Sequence, residues 1–86
     1  SRGLGDVYKR QCNYTKACEQ VKLTASSLLK AEESRRLTTE KYYEGSVSVT
    51  DVINAQIYYL DACRNHIASK LDACMAKSSL EYVYGY

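Results

Sequence analysis

Few residues of this chain have the types and spacing needed for chemistry. His66 is the only histidine, and Cys63 precedes it by three residues, a helical spacing that can supply two ligands of a metal site. Further ligands are lacking, because the neighbouring residues Asp61 and Asn65 are poor candidates for the remaining ligands of such a site. We therefore expect His66 to be a packing or interface residue, and we expect neither a metal nor another cofactor.

Catalytic arrangements are also lacking. The sequence has no nucleophile beside a base, no paired carboxylates that suggest a cleft, and no glycine-rich phosphate loop. The other charged side chains have the distribution of solvated helix faces. We therefore expect no enzymatic activity.

The four cysteines, at positions 12, 18, 63 and 74, do not form the pattern of a disulfide framework. If a hairpin turns near residue 46, Cys18 lies opposite Cys74 on the antiparallel helix. An oxidising compartment would permit a disulfide between them, provided that the two side chains face each other. The alternative is that both remain free thiols in packed positions.

A turn is predicted around Gly45, the one glycine in the long interior of the chain. Gly45 lies where the residue after a helix adopts left-handed geometry, which only glycine does at low cost. Ser48 and Asp51 then form an S-x-x-D capping box for a second helix, and Val47 can pack on Val52 as a hydrophobic staple. These signals favour a short connection between two helices.

Long helices are predicted on both sides of this turn. Apolar or small residues recur at spacings of three and four along both segments, and the chain contains no proline. We predict a helix over about 12–43, a turn over 44–47 and a helix over about 48–84. A short turn makes the helices antiparallel. The predicted fold class is all-α, a long antiparallel two-helix coiled-coil hairpin.

The second helix carries two seams, about 200° apart around its axis. We call them the large-residue seam and the small-residue seam, and we expect the small side chains to let a second neighbour come close. Two seams suit a helix in a ring of helices, and they suit an ordinary three- or four-helix bundle equally well. We also expect the hairpin to need partner helices for stability. The large-residue seam comprises Ile57, Leu60, Ile67, Leu71 and Cys74, interrupted by Arg64; the small-residue seam comprises Ala55, Tyr59, Ala62, His66, Ser69, Ala73, Ala76 and Leu80.

The first eleven residues, SRGLGDVYKRQ, resemble a translated sequencing-library adapter. We expect residues 1–11 to be an artefact of this kind, either disordered or a helix extension; the alternative is a natural basic tail. This leader contains three of the 12 basic and one of the 10 acidic residues, so the remainder has nine of each. A neutral remainder gives no electrostatic footprint for nucleic acid or anionic lipid. We expect residues 12–86 to be a fragment of a longer protein.

The stretch YYEGSVSVTDVINAQ, residues 42–56, carries a family resemblance. Together with Leu60, Ala62, Asn65 and Gly85, it resembles the C-terminal repeat of TolC-type outer-membrane efflux proteins. The shared pattern is Y-x-x-G-x-x-S-x-x-D-V-hydrophobic-x-A-Q, followed by a helix that ends near a glycine. The resemblance covers roughly residues 30–85.

The resemblance implies a homotrimeric channel for efflux or type I secretion in the bacterial outer membrane. Each protomer of the family gives strands to a β-barrel and long helices to a periplasmic α-barrel. This chain would be a fragment of that α-barrel, located in the periplasm and contacting the membrane only through missing strands. Its tip would dock onto a periplasmic adaptor protein, which links the channel to an inner-membrane pump.

Particular residues fall on positions of the family motif. Tyr42 matches a tip tyrosine that takes part in the links holding the channel closed. The turn that faces the adaptor would be Gly45, Ser46 and Val47. Val47 stands where some members have an arginine of the gating links, so the resemblance implies a different set of links here.

Asp51 and Asn54 match acidic positions at the pore aperture. A threefold ring of carboxylates in a narrow mouth favours cations. Asn54 replaces an aspartate of some members, so the aperture would carry fewer charges, and Glu44 is charged where an apolar tip residue is common. The alternative function is a coiled-coil hairpin that serves as an interaction module, either of a periplasmic adaptor or of an unrelated helical bundle.

Overall fold

The chain folds as two long antiparallel helices joined by a short turn. The structure, a computed structural model, describes residues 2–85 of the 86-residue chain. Helix α1 covers Arg2–Tyr43 and helix α2 covers Val49–Tyr84, and the described part contains no strand. The molecule measures 65 × 16 × 14 Å. The predicted all-α helical hairpin is confirmed.

The leader continues α1 as regular helix, which is one of its two expected states. α1 begins at Arg2 rather than near residue 12. At the far end of the hairpin, Arg10 Nη1 donates to the carbonyl oxygen of Ser79 at 3.1 Å and to its Oγ at 2.9 Å, and Gln11 donates to the hydroxyl of Tyr84. The end of the leader therefore packs against the last turns of α2.

The two helices meet through the small-residue seam of α2. Ala62 is 6% exposed and Ser69 is 5% exposed, and the fully buried Ala31 lies on α1. The other members of this seam are half-buried. Our expectation that the small side chains receive a second neighbour is therefore wrong, because α1 already occupies that face of α2.

The large-residue seam lies on the opposite side of α2 and is exposed. The exposed fractions of Ile57, Leu60, Ile67 and Leu71 range from 54% to 66%. Three further exposed residues extend the apolar surface, namely Ile53, Met75 and Tyr82. No part of the described chain covers this surface.

The hairpin buries little apolar surface for its length. Among the described residues no large side chain is fully buried, and neither helix has an apolar stretch of the kind that spans a bilayer. Most of the stability of a helix comes from packing of one face against other elements. The hairpin therefore has one thin interface and a second apolar face without a neighbour in the structure.

Candidate functional site at the hairpin tip

A Schellman motif at Gly45 ends α1. Gly45 has φ +81°, its N–H donates to the carbonyl oxygen of Tyr42 at 3.0 Å, and the N–H of Ser46 donates to that of Lys41 at 2.8 Å. These are the two hydrogen bonds of the motif. A Cβ at Gly45 would meet nothing within 4 Å, so glycine is favoured here by backbone conformation rather than by space.

A capping box begins α2. Ser48 has extended geometry, with φ −85° and ψ 165°. The N–H of Asp51 donates to Ser48 Oγ at 3.4 Å, and the N–H of Ser48 donates to Asp51 Oδ2 at 3.1 Å. The hydroxyl of Ser48 also donates to the same carboxylate oxygen at 3.2 Å. Asp51 thus has a structural role at the start of the helix, whatever else it does.

The turn is exposed except for Val47. Val47 and Val52 are half-buried, while Gly45 and Ser46 are exposed. The burial of the two valines agrees with the staple predicted from the sequence. A partner approaching the end of the hairpin would therefore meet the backbone at Gly45 and the exposed side chains of Ser46 and its neighbours Tyr43, Glu44 and Val49.

Tyr42 lies beside Tyr43 at the end of α1. The two rings pack edge to face, with centroids 5.8 Å apart and planes at 61°. Tyr42 is 42% exposed, whereas Tyr43 is 82% exposed. Tyr42 is therefore held by a neighbour within its own chain, and it keeps enough surface for a contact with another molecule.

Asp51 and Asn54 lie about 60° apart around the axis of α2, because they are three residues apart on a helix. Both are exposed. Neither belongs to the small-residue seam or to the large-residue seam. The two predicted aperture residues are therefore both exposed and lie about one turn apart at the start of α2.

A polar cluster in the middle of the hairpin was missed by the sequence analysis. Thr24 Oγ1 of α1 lies 3.0 Å from His66 Nδ1 and 2.7 Å from Ser69 Oγ, and the hydroxyl of Ser69 donates to the carbonyl oxygen of His66 at 2.8 Å. The sequence did contain a signal for this cluster. Among the four small residues of the seam that are spaced by seven, Ser69 is the one that carries a hydroxyl group. His66 is thus a packing residue, and residues 2–85 contain no group of three metal-ligating side chains.

Two tyrosines of the interface each pair with a cysteine four residues later. A hydrogen bond with Cys63 raises the pKa of the Tyr59 hydroxyl, and a hydrogen bond with Cys18 raises that of Tyr14. The guanidinium of Arg35 on α1 also lies 4.0 Å from the centre of the Tyr59 ring. This cation–π contact ties the two helices together near the tip.

Of the two alternatives for Cys18 and Cys74, the structure shows free thiols rather than a disulfide. Cys18 and Cys74 are both free, with Cys18 half-buried and Cys74 exposed. The large-residue seam, which includes Cys74, turned out to face away from α1. The contacts of Thr24 with His66 and Ser69 place Cys18 and Cys74 at the same level along the hairpin, but their side chains do not face each other.

Comparisons with known proteins identify no relative, since no family model, curated protein or solved structure matches this chain. The resemblance of the tip motif to TolC-type proteins therefore stays a prediction.

Proposed function

We propose that this chain forms the periplasmic tip hairpin of a homotrimeric outer-membrane channel for efflux or secretion. The motif over residues 42–56 supports this proposal because it folds as an exposed, doubly capped turn at one end of a 65 Å hairpin. Such a turn is the part of the molecule that a periplasmic adaptor would contact. Gly45, Ser46 and Val47 would provide the docking surface.

The observation that carries the proposal is that α2 has apolar residues on two opposite faces. A helix in the wall of a ring must contact one neighbour on each flank. α2 uses the small-residue seam for α1 and presents the large-residue seam, about 200° away, to a position that the described chain leaves open. A hairpin that acts alone in solution would not need this second apolar face.

Asp51 and Asn54 would line the aperture of the channel. Three copies of Asp51 around a threefold axis would place three carboxylates in a narrow mouth, where they favour cations over anions. Tyr42 would contribute to the links between neighbouring hairpins in the closed state, since part of its ring remains exposed.

A coiled-coil interaction module is the second candidate. The large-residue seam favours it as well, because an apolar heptad face is what a partner helix recognises. In that case the hairpin would belong to a periplasmic adaptor or to an unrelated helical bundle. The complete gene separates the candidates: a channel has alternating strands before the hairpin, whereas an adaptor has small β-rich domains on both sides of it.

The functional test is ion selectivity of the full-length protein in planar bilayers. Replacing Asp51 with asparagine should lower the ratio of cation to anion permeability, because each trimer loses three carboxylates at its mouth. Asp72→Asn is the matched control: it removes an exposed carboxylate from the same helix, 21 residues and about 31 Å farther along, and should leave the ratio unchanged. Equal selectivity in the wild type and in the Asp51 variant would contradict the aperture role.

A further inference from the structure

The exposed large-residue seam has the spacing of a coiled-coil contact. Ile53, extending the seam, is followed by residues 57, 60, 64, 67, 71 and 74, so that intervals of four and three alternate. This alternation is the heptad pattern of a and d positions, which a second helix covers in a left-handed supercoil. Scattered surface apolar residues would not keep such a period over three heptads.

The best complement to this seam within the described chain is the same seam of another copy. The outer face of α1 is mixed. It exposes Leu29 and Leu37, but charged residues lie between them, and Arg36 pairs there with Glu33 and with Glu40, the latter at 2.7 Å. An apolar a/d face packs on another apolar face, and within the described residues only α2 exposes a series of large apolar side chains at alternating intervals of four and three. A contact between identical faces is isologous and closes as a two-fold dimer.

The size of the surface fits a stable pair. The large apolar side chains of the seam, together with Ile53, Met75 and Tyr82, are each more than half exposed. Pairing would bury roughly 700 Å² on each copy, close to the ~800 Å² per partner of a standard interface. The contact would therefore add a second apolar interface to a hairpin in which only small side chains, those of Ala31, Ala62 and Ser69, are buried.

Arg64 selects the relative direction of the two helices. In a parallel in-register pair, Arg64 would lie directly opposite its copy within an apolar layer, and like charges there are unfavourable. An antiparallel pair can offset the two guanidinium groups along the axis. Each copy also brings its own counterion, since Asp61 Oδ1 lies 2.8 Å from Arg64 Nη2.

We propose that the 86-residue chain dimerises through the large-residue seam of α2, packed antiparallel against the same seam of a second copy, to give a four-helix assembly. The inference does not depend on the proposed channel, in which a different helix of the ring would cover this face.

The test compares two exposed leucines on different helices. Leu71 lies in the large-residue seam and is 59% exposed, whereas Leu29 lies on α1 and is 68% exposed. In sedimentation equilibrium the wild type should show twice the 9.7 kDa mass of the chain. Leu71→Asp should weaken association at least about 100-fold, and Leu29→Asp should leave it unchanged. Helicity measured by circular dichroism shows whether each variant folds.

Three results would overturn the proposal. They are a wild-type monomer at all concentrations, a trimeric mass, and equal loss of association in both leucine variants, which would indicate head-to-tail packing of α2 on α1. Ile67→Gln, a milder change at the most exposed large residue of the seam, keeps the test valid if Leu71→Asp fails to fold, and should also weaken the dimer.

Cys74 tests the direction of packing. In a variant with Cys12, Cys18 and Cys63 replaced by serine, an antiparallel dimer keeps the two Cys74 thiols far apart, so oxidation should give no covalent dimer. A parallel in-register dimer would bring the thiols together, and efficient cross-linking would therefore overturn the antiparallel arrangement.

Discussion

Replacing Gly45 with alanine tests the geometry of the turn. Gly45 has φ +81°, and an L-residue in this region costs about 1–2 kcal/mol. Alanine also reduces the freedom of the unfolded chain, which offsets ~0.4–1 kcal/mol of that loss. Since the added Cβ meets nothing within 4 Å, no steric term is added. We expect a net loss of about 1 kcal/mol in the free energy of unfolding.

The measurement is thermal unfolding followed by circular dichroism at a fixed protein concentration. For a chain of this size, a loss of 1 kcal/mol lowers Tm by roughly 4–8 °C. Gly45→Asn should lower it less, because asparagine tolerates left-handed geometry better than alanine does.

Gly5→Ala is a control in which the same substitution should change stability in the opposite direction. It lies within α1 and a Cβ there also meets open space, so Gly5→Ala should raise stability by about 0.5–1 kcal/mol. If Gly45→Ala raised Tm as Gly5→Ala does, the left-handed turn would be refuted, and with it the capped hairpin tip.

Three further predictions concern the cap, the interface and an ion pair. Ser48→Ala should lower the free energy of unfolding by ~1 kcal/mol, because it removes the side-chain oxygen that accepts a hydrogen bond from the N–H of Asp51. Urea titration measures this change. Ala62→Leu should cost about 1–3 kcal/mol by forcing the helices apart, while the exposed Ala68→Leu should be nearly neutral in the same titration. The hydrogen bond with Arg36 lowers the pKa of Glu33, so the stability from this pair is present above the ordinary pKa of glutamate and is lost as the pH falls through the lowered value. The pair is exposed, so its share of the helicity lost in acid should be small, and in a pH titration Glu33→Gln should lose slightly less helicity than the wild type over the same range.

Local signals in the sequence predicted the turn and the start of α2 well. The positive φ of Gly45 and the reciprocal hydrogen bonds of Ser48 and Asp51 depend on residues within four positions of one another. Interactions of such short range do not depend on how the helices pack, which is why a single sequence is enough to predict them.

The choice between the two seams could not be predicted in this way. Periodicity shows that α2 has two faces but not which one meets α1. The structure selects the small side chains of Ala62 and Ser69, and this choice turns Cys74 outward. Thr24 was missed for a related reason: its contact with His66 joins residues 42 positions apart, and no local pattern records it.

The repeat of small side chains along α2 has a mechanical consequence. Ala55, Ala62, Ser69 and Ala76 are spaced by seven residues, so sliding α2 along α1 by one repeat, about 10 Å, would bring nearly equivalent side chains into contact. Apolar packing alone thus leaves the alignment of the two rods nearly degenerate. The tight loop and the cross-helix polar contacts remove that degeneracy, so cutting the backbone at the loop should allow the rods to slip into shifted alignments.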